Sequence, residues 1–313
     1  MRFATFRKAG AVHVGMVDGD TVRSLAELDA ARPVTTMTDV IDRFGELYDR
    51  LNDWPHARRD GVRGAEPYPL DDVELLAPLP APHRNLLCVG KNYASHAREF
   101  DRSGYSATPS GGVPGAPIVF TKPPESVIGP YAPIRLPRGV TGCLDYGAEL
   151  AVVIGRRGRG IRAQDAHRHI FGYTILNDVT ARDLQLRHGQ WFLGKALDDS
   201  SPMGPWIVTA DETDGTAALG VRCWVNGELR QQADTGELVF GIPDLIATLS
   251  AGMTLYPGDV IATGTPAGVG AGFDPPRFLA AGDTVRVEIS GIGTLTNPVA
   301  EVAAGAATEG ADV

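Results

Sequence analysis

The sequence predicts a strand-rich α+β protein, in which a β-rich core follows a small N-terminal α/β domain. Glycine and proline account for 38 and 23 of the 313 residues, which favours short strands and many turns over a helical bundle. From residue 118 to 300 the apolar residues form short runs between Gly and Pro, such as PIVFT, ELAVVIG and TVRVEIS. Runs of this kind are typical of a β-rich core.

The N-terminal segment predicts strands followed by one helix. MRFATFRK, AVHVGMV and TVRSL have strand character, and the DGD between the last two is a turn signal. In 35–52 the apolar residues recur at helical spacing; they are Val40, Ile41, Phe44, Leu47, Tyr48 and Leu51.

We therefore expect a small N-terminal domain at 1–75 and a larger domain at 76–303. The segment 75–85 carries three prolines and is typical of a linker. The last residues, 304–313, are small and polar and are predicted to be disordered.

The larger domain begins with a strand, LLCVG, that leads into a short helix. His96 and Glu99 lie three residues apart in this helix and so share a face. The following segment, 101–117, is rich in Ser, Gly and Pro and predicts a flexible loop that could act as a lid. Further along, IPDLIATLSAG predicts one helix that ends at Gly252.

Charge and cysteine content exclude several classes of protein. The net charge of −9 disfavours non-specific nucleic-acid binding, which needs clustered Lys and Arg. Three widely spaced cysteines without a CxxC motif predict buried free thiols in a reducing compartment. There is no apolar run of signal-peptide or membrane-spanning length, so we expect a cytoplasmic protein that does not contact membranes.

The stretch LDYGAELAVVIG, 144–155, places acids inside an apolar strand. Residues of one parity share a face of a strand, so Asp145, Gly147 and Glu149 are expected on the same side. An unpaired charge at Glu149 would be costly within this run. Glu149 therefore needs a cation or a set of hydrogen-bond donors, or else it is a strand-end carboxylate paired with an arginine.

Several later polar residues also follow apolar strands. Asp178 follows FGYTILN and is either a site residue or a turn residue. Arg182 and Gln185 could present donors to an anion from one helical face, or could lie on a surface helix. Lys195 could stabilise an oxyanion or could extend to solvent. Thr265, in a Gly-rich loop without a P-loop ending, could help to hold a carboxylate.

Six segments in order resemble the fumarylacetoacetate hydrolase family across about residues 82–300; they are GKNYASHAREF, FTKPPESVIGP, DYGAELAVVIG, NDVTARDLQ, GKALDDSSPMGPWIVT and TGTPAGVG. The resemblance implies a mixed β-roll of packed sheets, usually in a homodimer, that acts on a small oxo-acid. It also implies Mg²⁺ or Mn²⁺ held by a Glu-x-Glu pair and a later Asp, which are hard oxygen ligands.

Two of the three implied metal ligands are present. The second Glu of the pair matches Glu149 and the Asp matches Asp178, whereas the first Glu falls on Gly147. Either water or Asp145 could take the place of the absent carboxylate.

The resemblance assigns the other roles residue by residue. His96 would be the general base, Glu99 its partner, and Lys195 the group that stabilises an oxyanion or enolate. Tyr93, Arg182, Gln185 and Thr265 would bind the substrate.

The first functional hypothesis is metal-dependent hydrolysis of a C–C bond in an acylpyruvate-like β-diketo acid. The alternative keeps the pocket but performs decarboxylation, tautomerisation, isomerisation or hydration with a weakened or absent metal, as Gly147 suggests. The third hypothesis is a non-catalytic protein that binds a small acid or a partner.

Overall fold

The computed structural model describes residues 1–54, 66–105, 112–213 and 218–303, and within these ranges it is an α+β structure dominated by strands. The predicted fold class is therefore confirmed. The middle of the predicted loop at 101–117, residues 106–111, and the predicted disordered tail at 304–313 lie outside the described residues.

The strands are β1 Arg2–Lys8, β2 Ala11–Asp18, β3 Thr21–Ser24, β4 Tyr68–Pro69, β5 Glu74–Leu75, β6 Leu86–Gly90, β7 Ile118–Lys122, β8 Val127–Ile128, β9 Ile134–Pro137, β10 Leu144–Asp145, β11 Ala148–Ile154, β12 Ile170–Asn177, β13 Thr180–Ala181, β14 Ser201–Thr209, β15 Gly220–Val225, β16 Glu228–Asp234, β17 Val260–Ala262, β18 Thr284–Ile289 and β19 Gly293–Val302. The α-helices are α1 Met37–Asp53, α2 Ala94–Arg102, α3 Arg182–Arg187, α4 Phe192–Lys195 and α5 Ile242–Gly252.

Across the described residues, one large sheet and two smaller ones organise the chain. The main path of the large sheet runs β4-β3-β2-β1-β14-β12-β11-β17-β6-β7, with β5 beside β1 and β8 beside β14. A second sheet has the order β16-β15-β18-β19-β9, and β10 pairs with β13. The N-terminal strands join the large sheet where β1 pairs with β14.

Helix α1 forms where the apolar spacing predicts it. Its N-terminus is closed by a capping box in which Thr36 Oγ1 accepts from the Asp39 amide at 3.1 Å and Asp39 Oδ2 accepts from the Thr36 amide at 2.9 Å. The apolar side of α1 packs into a core cluster that also contains β11 residues of one parity, Ala151 and Val153.

The opposite face of β11 packs into a second core cluster. Leu150, Val152 and Ile154 belong to this cluster, together with apolar residues of β15, β18 and β19. Both faces of β11 are therefore covered, which explains why the strand is apolar at every position except Glu149.

The prediction that Asp145 and Glu149 share one face of a single strand was wrong. The strand is interrupted at Tyr146 and Gly147, so that β10 pairs with β13 while β11 pairs with β12 and β17. The alternation rule applies only within a continuous strand, and the interruption directs the Asp145 carboxylate to different partners.

The sequence predicts buried free thiols and no membrane-spanning segment. Cys88, Cys143 and Cys223 are free thiols, and Cys88 and Cys223 are buried. Among the helices in the described ranges, none combines the length and apolar character needed to cross a membrane.

Candidate active site

A small polar cavity lies beside the ends of β6, β7, β11 and β12. Its lining residues are Val89, Gly90, Lys91, His96, Phe100, Phe120, Glu149, Asp178, Arg182, Gln185, Trp191, Lys195 and Thr265. The cavity measures about 20 Å³, which is room for roughly one water molecule. The structure thus brings together most of the residues singled out from the sequence, although they come from distant parts of the chain.

His96 and Glu99 lie on α2, at the edge of this cavity. His96 Nδ1 is 3.3 Å from Glu99 Oε2, and Glu99 Oε1 accepts a hydrogen bond of 2.8 Å from the Gly268 amide. Since a carboxylate accepts, Nδ1 carries the proton and Nε2 keeps a lone pair. Burial lowers the pKa of His96, and the Arg182 and Lys195 cations lower it further, although Glu99 opposes the shift. These effects favour the neutral form of His96.

Glu149 and Asp178 meet at the same cavity, yet their charges are stabilised unequally. Glu149 Oε2 accepts from the Gly264 amide at 2.8 Å, but burial and the charge of Asp178 raise the pKa of Glu149 to about 8. Burial alone would raise the pKa of Asp178 as well. Two neighbouring ammonium groups outweigh that effect and lower its pKa, so Asp178 is the acid that carries the charge.

These two ammonium groups belong to Lys195 and Lys122. Lys195 Nζ, at the end of α4, donates to Asp178 Oδ2. Lys122 Nζ, at the end of β7, lies 3.1 Å from Asp178 Oδ1 and donates to the Val179 carbonyl oxygen at 2.8 Å. Burial lowers the pKa of Lys195, as do the cations of Arg182 and Lys122, while Asp178 opposes this shift.

Sequence reasoning missed Lys122, as well as the cavity-lining residues Lys91, Phe120 and Trp191. Lys122 lies in FTKPPESVIGP, one of the segments on which the resemblance rests, and its side chain is 0% exposed. A lysine at the end of a short strand ordinarily reaches solvent, so its position alone gave no sign of burial. Its proximity to Asp178 could be recognised only from the pairing of the strands.

Arg182 is fixed by neighbours on both sides. Its Nε donates to Asp145 Oδ2 at 2.8 Å, its Nη1 donates to Gln185 Oε1 at 3.1 Å, and the guanidinium lies 5.1 Å from the ring centroid of Phe100. Asp145 also accepts from the amides of Gly270 at 2.6 Å and Ala271 at 3.1 Å. Asp145 is thus committed to Arg182 and to the Gly-rich loop, and does not replace the carboxylate absent at residue 147.

Two residues assigned from the resemblance lie behind the cavity wall. Glu99 contacts Nδ1 of His96. Tyr93 immediately precedes α2 and is buried, with 1% of its surface exposed. Neither side chain lines the cavity. Thr265 does line it, and Thr265 Oγ1 accepts from Gln231 Nε2 at 2.8 Å.

The residues present do not fit a divalent cation. Mg²⁺ usually keeps several waters and is held by one or two carboxylates, so the number of acids alone does not exclude it. The feature that disfavours an ion is the pair of ammonium groups, because Asp178 Oδ2 accepts from Lys195 and Asp178 Oδ1 lies 3.1 Å from Lys122 Nζ. Within the described ranges, no cluster of three or more His, Cys, Asp or Glu side chains has a metal-binding arrangement. Gly147 borders Asp178 and Thr265 but contributes no ligand.

Comparisons with known proteins match the N-terminal part and the larger C-terminal part of the chain to family models. A family model described as Fumarylacetoacetate (FAA) hydrolase C-terminal matches residues 85–300, and one described as Rv2993c-like, N-terminal matches residues 1–78. The chain is 43% identical over 310 residues to the oxaloacetate tautomerase YisK of Bacillus subtilis, covering 96% of this chain and 100% of that protein.

Solved structures of proteins named as fumarylacetoacetate hydrolase or maleylpyruvate hydrolase are also similar to this chain. The fumarylacetoacetate hydrolase of the psychrophile Exiguobacterium antarcticum has a TM-score of 0.81 and 41% identity, covering 96% of this chain and 100% of the other. The maleylpyruvate hydrolase of Sphingobium sp. SYK-6, in complex with manganese(II) ion and pyruvate, has a TM-score of 0.76 and 32% identity, covering 96% and 99%.

Proposed function

Because the chain belongs to the fumarylacetoacetate hydrolase family, we propose that it interconverts the keto and enol forms of a small 2-oxo dicarboxylic acid such as oxaloacetate. This was the alternative in the sequence analysis, and the tautomerase relatives favour it over C–C bond hydrolysis. The observation that carries the proposal is a neutral histidine base that faces the same cavity as a buried ammonium group, Lys195.

The reaction needs one base and one group that stabilises an enolate. His96 Nε2 removes a proton from the methylene carbon beside the ketone, and Glu99 stabilises the imidazolium through Nδ1. The electron pair of the broken C–H bond forms the C=C bond and places negative charge on the former ketone oxygen. Lys195 donates a hydrogen bond to that oxygen. The imidazolium then protonates the oxygen, which gives the enol and restores neutral His96.

The cationic and polar side chains of the cavity wall account for an acidic substrate. Arg182 and Gln185 line the cavity and are already held together by a hydrogen bond of 3.1 Å. We assign the binding of a substrate carboxylate to this pair, with the Thr265 hydroxyl as a further contact. The cavity is small in this structure, and the proposed substrate is a small acid.

The divalent ion implied by the resemblance has no part in this mechanism, because the donor set does not fit it. The homodimer implied by the same resemblance remains part of the proposal and is measured by light scattering. The predicted substrate contact of Tyr93 requires that it move into the cavity, and Tyr93→Phe tests this contact.

Hydrolysis of a diketo acid is the second candidate. The cavity has room for one water molecule beside His96, and a base in this position could activate water for attack on a carbonyl carbon. The similar maleylpyruvate hydrolase is consistent with such chemistry on this fold.

One experiment separates the two candidates. Enol oxaloacetate and acetylpyruvate are each supplied to the native protein, to His96→Ala and to Arg98→Ala, a control for an exposed residue of the same helix. We expect rapid ketonisation that is lost only in His96→Ala, with negligible cleavage of acetylpyruvate. Efficient cleavage of acetylpyruvate without accelerated ketonisation would replace the tautomerase proposal with the hydrolase.

A further inference from the structure

One of the two acids of the cavity, Asp178, already has cationic partners within the protein. Asp178 contacts Lys195 through one carboxylate oxygen, and its other oxygen lies 3.1 Å from Lys122 Nζ. Glu149 accepts a hydrogen bond from the Gly264 amide. Even with both acids ionised, these four side chains provide no net negative charge to attract a divalent ion.

A bound ion would also compete with the lysines for the same oxygens. Lys122 is 0% exposed and Lys195 is 4% exposed, so both ammonium groups are buried beside Asp178. Coulomb repulsion between an ion and an ammonium group a few ångströms away is only weakly screened inside a protein. At Oδ2 an ion would have to displace Lys195; at Oδ1, which accepts no hydrogen bond among the described residues, it would lie beside the Lys122 ammonium group.

We infer that the native enzyme holds no divalent cation at this cavity, and that the ammonium pair of Lys122 and Lys195 supplies the positive charge that an ion would otherwise provide. The inference rests on the contacts of Asp178 and on the missing side chain of Gly147. It does not depend on which oxo-acid reaction the cavity performs, and it assigns Lys122 a role in positioning Asp178.

Gly147 offers a direct test, because a Cβ added there meets one tight contact and two ordinary ones. An added Cβ would lie 3.2 Å from the Asp178 carbonyl oxygen and 3.5 Å from Thr265 Cβ and Cγ2. These contacts require a shift of a few tenths of an ångström. The backbone of Gly147 is outside the left-handed region, so an L-residue meets no conformational barrier. A glutamate at this position would add a third carboxylate beside Asp178 and Glu149.

The experiment measures Mn²⁺ binding to the whole protein by electron paramagnetic resonance of free Mn²⁺, independently of activity. The samples are the native protein, Gly147→Glu, and Gly147→Ala, which adds the Cβ without a ligand. We expect no stoichiometric binding to the native protein or Gly147→Ala, and a gain of one ion per chain in Gly147→Glu with at least ~10-fold tighter binding. Circular dichroism checks that each variant is folded.

Binding of one Mn²⁺ per native chain that is lost in Asp178→Asn would overturn the inference. The tautomerase proposal would still be decided separately, by the ketonisation assay. If neither the native protein nor folded Gly147→Glu binds Mn²⁺, the inference of a metal-free native cavity stands, but Gly147 is not its cause. A second variant, Lys122→Met, removes one ammonium charge from Asp178 and should raise the Mn²⁺ affinity. An affinity as low as that of the native protein would contradict the proposed charge compensation.

Discussion

Replacement of Lys122 by methionine removes a buried cation but keeps a side chain of similar length. In the native protein the Lys122 ammonium lies 3.1 Å from Asp178 Oδ1 and donates to the Val179 carbonyl oxygen at 2.8 Å. Breaking a buried ion pair typically costs about 3–5 kcal/mol, because the remaining charge keeps its desolvation penalty. Lys195 still contacts Asp178, so we expect the lower limit, a loss of about 3 kcal/mol in the free energy of unfolding.

The assay is thermal and urea unfolding followed by tryptophan fluorescence. At roughly 2 °C per kcal/mol, the expected fall in melting temperature is about 6 °C. Lys8→Met is the matched control, because Lys8 is more exposed and pairs with no carboxylate in the described residues. Its Nζ donates to the Asp72 carbonyl oxygen and lies 5.7 Å from the ring centroid of Tyr68, so its expected loss is below ~1 kcal/mol. A Lys122→Met protein as stable as the native one would refute the reasoning, since it would show that Asp178 does not depend on this cation.

Three further predictions follow from contacts around the cavity. Gly272→Ala places a Cβ 2.3 Å from Glu99 Cδ and Oε1 and should displace Glu99 from His96. We therefore expect kcat to fall about 10-fold, while the melting temperature stays unchanged. Arg182→Ala leaves Asp145 buried without its cation, and its unfolding free energy should fall by about 3 kcal/mol in the same urea assay. Burial lowers the pKa of His96 below its ordinary value of 6.5, so His96 is mostly neutral at pH 6.5. The acidic decline of kcat/KM should therefore lie below pH 6.5. A decline centred above pH 6.5 would contradict the role of His96 as base.

The fold was accessible from the sequence because its signals are local. The helical spacing at 35–52 predicts α1, observed at Met37–Asp53, and IPDLIATLSAG predicts α5 at Ile242–Gly252. The apolar runs separated by Gly and Pro correspond to strands such as β11 and β18. Each of these signals depends on residues within one element, and the structure confirms them.

The candidate site was only partly accessible, because it depends on contacts between distant segments. The resemblance named Glu149 and Asp178, and the structure brings them together through the pairing of β11 and β12. Alternation along a strand misled for Asp145, because the break at Gly147 gives β10 a different partner from β11. Lys122 was overlooked because no local pattern distinguishes a buried lysine from one that extends to solvent.

The clamping of Asp178 by two lysines connects the missing ligand at Gly147 with the proposed reaction. Tautomerisation requires proton transfer and stabilisation of one enolate oxygen, and the ammonium group of Lys195 is suitably placed for the second task. Lys122 keeps Asp178 ionised and in place while Lys195 faces the cavity. Mutating the two lysines separately should therefore affect different quantities, stability for Lys122 and turnover for Lys195.

The most direct measurement is the rate of ketonisation of enol oxaloacetate by the chelator-treated protein and by His96→Ala. The account predicts that the treated native protein retains its full rate, and that His96→Ala is at least ~100-fold slower, as expected for the loss of a general base. Undiminished turnover by His96→Ala would contradict the mechanism. Loss of native activity on chelation, restored by added Mn²⁺, would contradict the assignment of the positive charge to the lysines.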